Sequence, residues 1–200
     1  MTQEENIKID ANRRGVPIIR EQSHVVLQDI TKQVNPKRIL EIGTAVGYSG
    51  LLMLNASDNA CLITIEKDID KVVEATNNFK QAGYQDRAQV IHADCVEYIS
   101  SMVASGEYDK SFDLVFLDGP KGQYINMLEG LIMLTKSGGT IVADNVLFRG
   151  YVQDKTKMPR RFKTIVKRLH MLFDAIANHP DIESHELLEI EDGILIIKVK

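Results

Sequence analysis

The chain has 200 residues, 44% of them hydrophobic, and carries 24 Lys and Arg against 28 Asp and Glu for a net charge of −4. That length and apolar content suffice for one good core, so residues 1–200 are read as a single domain. No apolar run approaches membrane-spanning length, and the start MTQEENIKID lacks the charged-then-apolar layout of a secretory signal. A cytoplasmic protein with no membrane partner is expected. The two cysteines, Cys61 and Cys95, have neither metal-ligand spacing nor a disulfide framework.

In chain order, residues 1–35 form an N-terminal helical segment. Its clearest helix covers 21–33, with Val26, Leu27 and Ile30 on one face and Pro36 beyond its end. A strand over 38–43 leads through a glycine turn to a helix from Gly47. A strand follows at 61–66, then a helix at 69–82 stopped by Gly83, a strand at 88–93 and a helix over 95–104. The run FDLVFLD makes a strand ending at Asp118, and a helix over 122–135 stops before Ser137-Gly138-Gly139. GGTIVADN makes a fifth strand, ending at Asp144. A loop crosses to a long helix at 159–178, and SHELLEIEDGILIIKVK reads as a hairpin turning at Asp192-Gly193. Five parallel strands alternating with helices, plus an antiparallel hairpin, predict a single-domain α/β fold. Its seven strands would form a Rossmann-like, doubly wound sheet.

The strand ends carry the chemistry. Asp118 closes one apolar run, and Asp144 with Asn145 closes another. Buried parallel strands deliver such residues to the carboxyl-end edge where α/β sheets bind ligands. Two carboxylates and an amide oxygen suit a hard divalent cation such as Mg²⁺ and leave coordination positions open. The turn Glu41-Ile42-Gly43-Thr44-Ala45-Val46-Gly47 has Ala45 where a dinucleotide site needs its middle glycine, which disfavours NAD. A nucleotide-like cofactor without a pyrophosphate fits better. Glu66, ending the next strand, can accept the hydroxyls of a ribose, and Asp94 follows the third strand. S-adenosylmethionine meets this description. Cys95 reads as a small pocket-lining residue. Lys121, three residues after Asp118, opposes the dipole of the helix that follows, which favours a general base over a helix stabiliser. Tyr48, Tyr124, Phe148 and Tyr151 are candidates to wall a pocket, although aromatic residues near strand ends more often pack the core. His24, His92, His170, His179 and His185 show no ligand spacing.

RILEIGTAVGYSG, TIEKD, FLDGPKGQY and IVADNVLFRG resemble the metal-dependent class I O-methyltransferases of the catechol and caffeoyl-coenzyme A group. Within that group, GVPII, KGQY, DNVLFRG and NHPD…DGILI are similar in order to the bacterial tRNA 5-hydroxyuridine methyltransferases. The resemblance covers about residues 13–197 and implies that Ser49, Glu66, Asp118 and the main chain around Ile19 and Asp94 contact S-adenosylmethionine. It further implies that Asp118, Asp144 and Asn145 bind the metal, that Lys121 is the catalytic lysine, and that the protein is a homodimer. A start shorter than usual for the branch implies a reduced N-terminal helix, and Gly119-Pro120 depart from the small residues usual beside the lysine.

Charge is unevenly spread. Between 149 and 168 stand Arg149, Lys155, Lys157, Arg160, Arg161, Lys163, Lys167 and Arg168 against Asp154 alone, a segment of +7 that leaves −11 elsewhere. A solvated helix face would account for such a run. Its start four residues after Asn145 instead suggests that Arg149, Arg160, Arg161 and Lys163 hold RNA phosphates beside the metal. The expected reaction is methylation of 5-hydroxyuridine in tRNA, whose ring hydroxyl adjoins the 4-carbonyl. The alternatives are a small catechol-like phenol as substrate and a non-catalytic RNA-binding module; the intact Asp118, Lys121, Asp144 and Asn145 speak against the latter.

Overall fold

A computed structural model describes residues 2–200. The fold is a seven-stranded mixed α/β sheet with strand order β3-β2-β1-β4-β5-β7-β6. The chain divides into two compact units, Met1–Cys95 and Val96–Lys200, taken here in turn. Among the described residues no helix is long and apolar enough to cross a membrane.

The first unit opens with α1 (Gln3–Arg14), a twelve-residue helix absent from the element-by-element reading above. Its signal stands in the sequence as Thr2-Gln3-Glu4-Glu5. The Thr2 hydroxyl accepts from the Glu5 N–H at 3.2 Å and the Glu5 carboxylate accepts from the Thr2 N–H at 2.8 Å, a complete capping box. Gly15, at φ 68°, closes the helix in the left-handed region. α2 (Glu21–Val34) follows and ends at a left-handed Asn35. Then come β1 (Arg38–Ile42), α3 (Tyr48–Asn55), β2 (Cys61–Glu66), α4 (Ile69–Gln81) and β3 (Ala88–His92). β1 pairs with β2 and β2 with β3, all parallel. Every residue of α3 from Tyr48 to Leu54 is buried, so Tyr48 belongs to the core. Its ring meets His24 edge-on at 5.9 Å, and burial pushes its phenol up to about 12.

The second unit takes up α5 (Cys95–Ser105) and continues with β4 (Phe112–Leu117), α6 (Tyr124–Leu134), β5 (Thr135–Ala143), α7 (Lys163–Ala177), β6 (Ile182–Leu188) and β7 (Ile194–Val199). β5 lies parallel to β4 and antiparallel to β7, and β6 completes the antiparallel hairpin at the edge. Four of its boundaries differ from the sequence reading. The helices expected from 122 and 159 each begin with one 3₁₀ turn, at Lys121–Gln123 and Arg160–Phe162. β5 starts at Thr135, where the Thr135 hydroxyl donates to the Leu131 carbonyl at 2.6 Å as α6 ends. Ser137-Gly138-Gly139 therefore lies within the strand rather than before it. The pairing shifts register there, and a Cβ on Gly139 would sit 2.8 Å from the Lys136 carbonyl. Last, the hairpin does not turn on a two-residue Asp192-Gly193 loop. The connection spans 189–193 with Glu191 at φ 51°, because the Asp192 side chain is buried and engaged elsewhere.

Close approach inside the first unit depends on Gly50. A Cβ there would lie 2.8 Å from both Leu62 and Phe79, which brings α3 down onto β2 and α4. Gly50→Ala gains about 1 kcal/mol of helix propensity and loses about 1–3 kcal/mol to overpacking. Urea denaturation is expected to show a net loss of about 1 kcal/mol. A more stable variant would contradict this packing.

Candidate functional site

The chain carries two groups of candidate residues, one in each unit. In the first, the turn after β1 alternates into the left-handed region at Gly43 (φ 99°), Ala45 (φ 45°) and Gly47 (φ 82°). Ala45 takes that conformation against the steric preference of an L residue, at a cost of about 1 kcal/mol. The compensation is visible: its N–H donates to Glu66 Oε2 at 2.9 Å. Glu66 Oε1 accepts from the N–H groups of Lys67 and Asp68, also at 2.9 Å. Three backbone donors thus orient this carboxylate, and of roughly four acceptor sites about one remains, on Oε2. Gly47 has a second constraint, since a Cβ there would come within 3.1 Å of the Phe79 ring.

Glu41 is fully buried and organises the same turn. Ser49 Oγ donates to its Oε1 at 2.5 Å and Thr64 Oγ1 to its Oε2 at 2.6 Å. Thr64 has one hydroxyl proton and gives it to Glu41, so in the 2.6 Å contact between Thr44 Oγ1 and Thr64 Oγ1 the donor is Thr44. The chain Thr44→Thr64→Glu41 ties the turn to β2. Sequence reasoning named Glu41 and Ser49 and missed Thr44 and Thr64. The available signal was register: Glu41 stands directly beside Thr64 in the parallel pair, two polar residues in apolar strands. Of the other expected cofactor residues, Ile19 is buried in the link between α1 and α2, and Cys95 is buried at the start of α5. Asp94 is paired with Lys67 at 3.0 Å.

In the second unit, β4 and β5 end side by side. The Asp144 N–H donates to the Leu117 carbonyl at 2.9 Å, and the buried Tyr124 hydroxyl spans both ends, donating to the Leu117 carbonyl at 2.9 Å and lying 3.3 Å from the Asp144 carbonyl. Tyr124 is therefore a brace for the strand ends and not a pocket wall. Asp118 and Asp144 stand close enough for one charge to act on the other. Asp144, 2% exposed, is pushed up to about 6, first by burial and then by the Asp118 carboxylate. The Asn145 N–H, donating to Oδ1 at 2.8 Å, and Lys121 oppose the shift, while Glu191 adds to it. Lys121 Nζ lies 2.7 Å from Asp118 Oδ1, both side chains largely withdrawn from water. An ammonium thus sits where two adjacent carboxylates need positive charge. By donor chemistry alone, two carboxylates and an amide oxygen, as Asp118, Asp144 and Asn145 would offer, fit a hard divalent cation. Among the described residues no group of three or more His, Cys, Asp or Glu is placed to hold a metal.

The basic segment is only partly free. Phe162 collects Phe148 edge-on at 5.2 Å, Tyr151 stacked at 5.9 Å, and the guanidinium groups of Arg161 at 4.8 Å and Arg149 at 5.5 Å. Arg168 donates to the Gly122 carbonyl at 3.0 Å. Lys155, Lys157, Arg160, Lys163 and Lys167 remain exposed. Phe148 and Tyr151 belong to this cluster. The histidines are dispersed: His92 meets the Lys67 carbonyl, His179 pairs with Glu129, His185 is exposed on β6, and the buried His170 Nε2 has no hydrogen-bond partner among the described residues.

Comparison with known proteins gives the family. The chain is 33% identical over 128 residues to a caffeoyl-CoA O-methyltransferase of Stellaria longipes, covering 64% of this chain and 53% of that protein. It is 33% identical over 130 residues to a catechol O-methyltransferase of Niastella koreensis, covering 64% and 58%. The matches thus span little more than half the length of these relatives. An O-methyltransferase from Bacillus cereus in complex with SAH superposes with a TM-score of 0.86 at 23% identity, over 99% of this chain and 90% of that one. Residues 6–200 match the O-methyltransferase family, and the chain belongs to it.

Proposed function

We propose that the protein is an S-adenosylmethionine-dependent O-methyltransferase that uses Mg²⁺ or another divalent cation and methylates a hydroxyl standing beside a second oxygen. The observation that carries this reading is the buried Asp144 carboxylate beside the half-buried Asp118, with Lys121 at 2.7 Å from Asp118. Like charges held together out of water are costly unless a cation is meant to join them. S-adenosylmethionine would be held by the first unit: Glu66 receives a ribose hydroxyl, the turn at Gly43 to Gly47 lets the cofactor approach the backbone, and Glu41 with Ser49 keeps that turn in shape. SAH in the B. cereus relative and the family match support the assignment. The metal would be held by Asp118, Asp144 and Asn145, and when bound it orients the two substrate oxygens and lowers the hydroxyl's hold on its proton. Lys121, once released from its ion pair with Asp118 and having given one proton to solvent, would be the neutral amine that accepts the hydroxyl proton. S-adenosylmethionine would supply an electrophilic methyl group, whose carbon–sulfur bond would break as the substrate oxygen bonds to the carbon, the electron pair staying on sulfur.

For the acceptor we favour 5-hydroxyuridine in tRNA, because the exposed Lys155, Lys157, Arg160, Lys163 and Lys167 follow the metal loop in sequence and suit a phosphate backbone. The second reading, a small phenol, is favoured by the caffeoyl-CoA and catechol names of the relatives. The internal use of Arg149, Arg161 and Arg168 also weighs for it. A homodimer belongs to the proposal through the family resemblance alone, and a cytoplasmic location through the sequence reading alone.

Two sets of measurements check these points, the first on methyl transfer and tRNA binding. Methyl transfer to 5-hydroxyuridine-containing tRNA is expected to vanish with chelator and return with Mg²⁺. Replacing Arg160 and Lys163 with Ala should reduce the salt slope of tRNA binding by about two. Transfer to catechol with an unchanged salt response to tRNA would favour the phenol.

The second set concerns Asp144. Below pH about 4 it is protonated folded or unfolded and contributes nothing. Between about 4 and about 6 only the folded state keeps the proton, so stability falls as pH rises through that window and stays lower above it, by about 3 kcal/mol at most. In the metal-free protein, Asp144→Asn should therefore raise Tm at about pH 8, with the gain fading toward pH 4. A lower Tm at about pH 8 would mean that the ionised carboxylate carries no such cost.

A further inference from the structure

Between β5 and the basic segment the backbone makes an unusual excursion. Asn145 (φ 57°), Phe148 (φ 46°), Arg149 (φ 60°) and Gly150 (φ 74°) all lie in the left-handed region. For the three that are not glycine this costs about 1–2 kcal/mol each and persists only where the surroundings impose it. The surroundings here are the turn of the C-terminal hairpin. The Val146 N–H donates to the Gly193 carbonyl at 3.1 Å and the Leu147 N–H to the Asp192 carbonyl at 2.8 Å. The Arg149 N–H donates to Asp192 Oδ1. Contact is close enough that a Cβ on Gly193, itself at φ 85°, would overlap Leu147 Cγ at 2.4 Å. Asp192 is a buried carboxylate, and Val146 and Leu147 are buried beside it. A hairpin tip normally faces water and tolerates change. This one instead grips the loop that begins with Asn145.

We propose that Asp192 is a positioning residue for the metal site, acting through its bond to the Arg149 N–H. That bond fixes the strained backbone from Asn145 to Arg149 and so holds the amide ligand in place beside Asp144. The proposal rests on the reading of Asp118, Asp144 and Asn145 as metal ligands. It goes beyond that reading by making the last hairpin of the chain part of the site's rigidity. Supporting residues of this kind typically alter metal affinity about ten- to a hundredfold when removed.

The test is Mn²⁺ binding to the full chain, followed by the electron paramagnetic resonance of the free ion, with SAH affinity measured in parallel by calorimetry. Asp192→Ala should weaken Mn²⁺ about tenfold or more and leave SAH affinity unchanged. Asp192→Asn keeps an oxygen acceptor and should stay within about threefold of wild type. Adding Arg149→Gly to Asp192→Ala removes the cost of a left-handed side chain and should recover much of the affinity. If Asp192→Ala alone does not fold, this double variant carries the test. Unchanged Mn²⁺ affinity in Asp192→Ala overturns the proposal, as does equal loss in Asp192→Asn, parallel loss of SAH, or no recovery in the double variant. If wild type binds no Mn²⁺ while Asp144→Ala behaves identically, the metal reading itself fails and this proposal falls with it.

Discussion

The energetic constraint around which the second unit is built is the enforced nearness of two carboxylates at the ends of adjacent parallel strands. Asp144 is buried, feels Asp118, and titrates at about 6 in place of its ordinary 3.8. Nothing in the packing of β4 and β5 requires an acid there; a Ser or Asn would satisfy the Asn145 N–H at less expense. The neighbouring structure accepts the cost and holds the pair still. Tyr124 spans both strand ends, Lys121 supplies one positive charge from the 3₁₀ turn, and the hairpin tip supports the loop that follows Asp144. Such braced electrostatic tension is a common mark of a site built for a cation.

The first unit solves a different problem by a related device. Its turn after β1 takes left-handed backbone at three alternating positions, and only two are glycine. The third, Ala45, is held by Glu66, and the whole turn is tethered through Thr44 and Thr64 to Glu41. Carboxylates that face inward to backbone N–H and hydroxyl donors have fixed orientations, so a ligand meets an arrangement already paid for during folding. Glu66 illustrates the limit of this economy. With three backbone donors in place, it retains capacity for about one well-directed hydroxyl, fewer than the ribose diol offers.

How much was legible in the sequence follows from the range of the interactions. Strand and helix types were readable because apolar runs and Gly stops are local, and Asp118, Asp144 and Glu66 stood out because strand ends place them. α1 was equally readable, through the Thr2 to Glu5 capping box, yet was not called out as an element. Thr64 required the register of β1 against β2, and Tyr124 required knowing that two strand ends lie one hydroxyl apart. Asp192 was misread for a physical reason: Asp-Gly is a strong local turn signal, and it concealed a side chain serving a loop more than forty residues away. Arg168, counted in the +7 segment, donates to the Gly122 carbonyl, a partner that sequence distance likewise concealed.

Under the proposed function, Asp144 is a carboxylate that is reluctant to ionise until a cation arrives. Calorimetric titration of Mg²⁺ in buffers of different ionisation enthalpy counts the protons released on binding. At about pH 5 the release should approach one proton per site and at about pH 8 it should approach zero, as expected for a group titrating near 6. Binding that releases no proton at either pH would contradict the coupling of that buried pair to a metal.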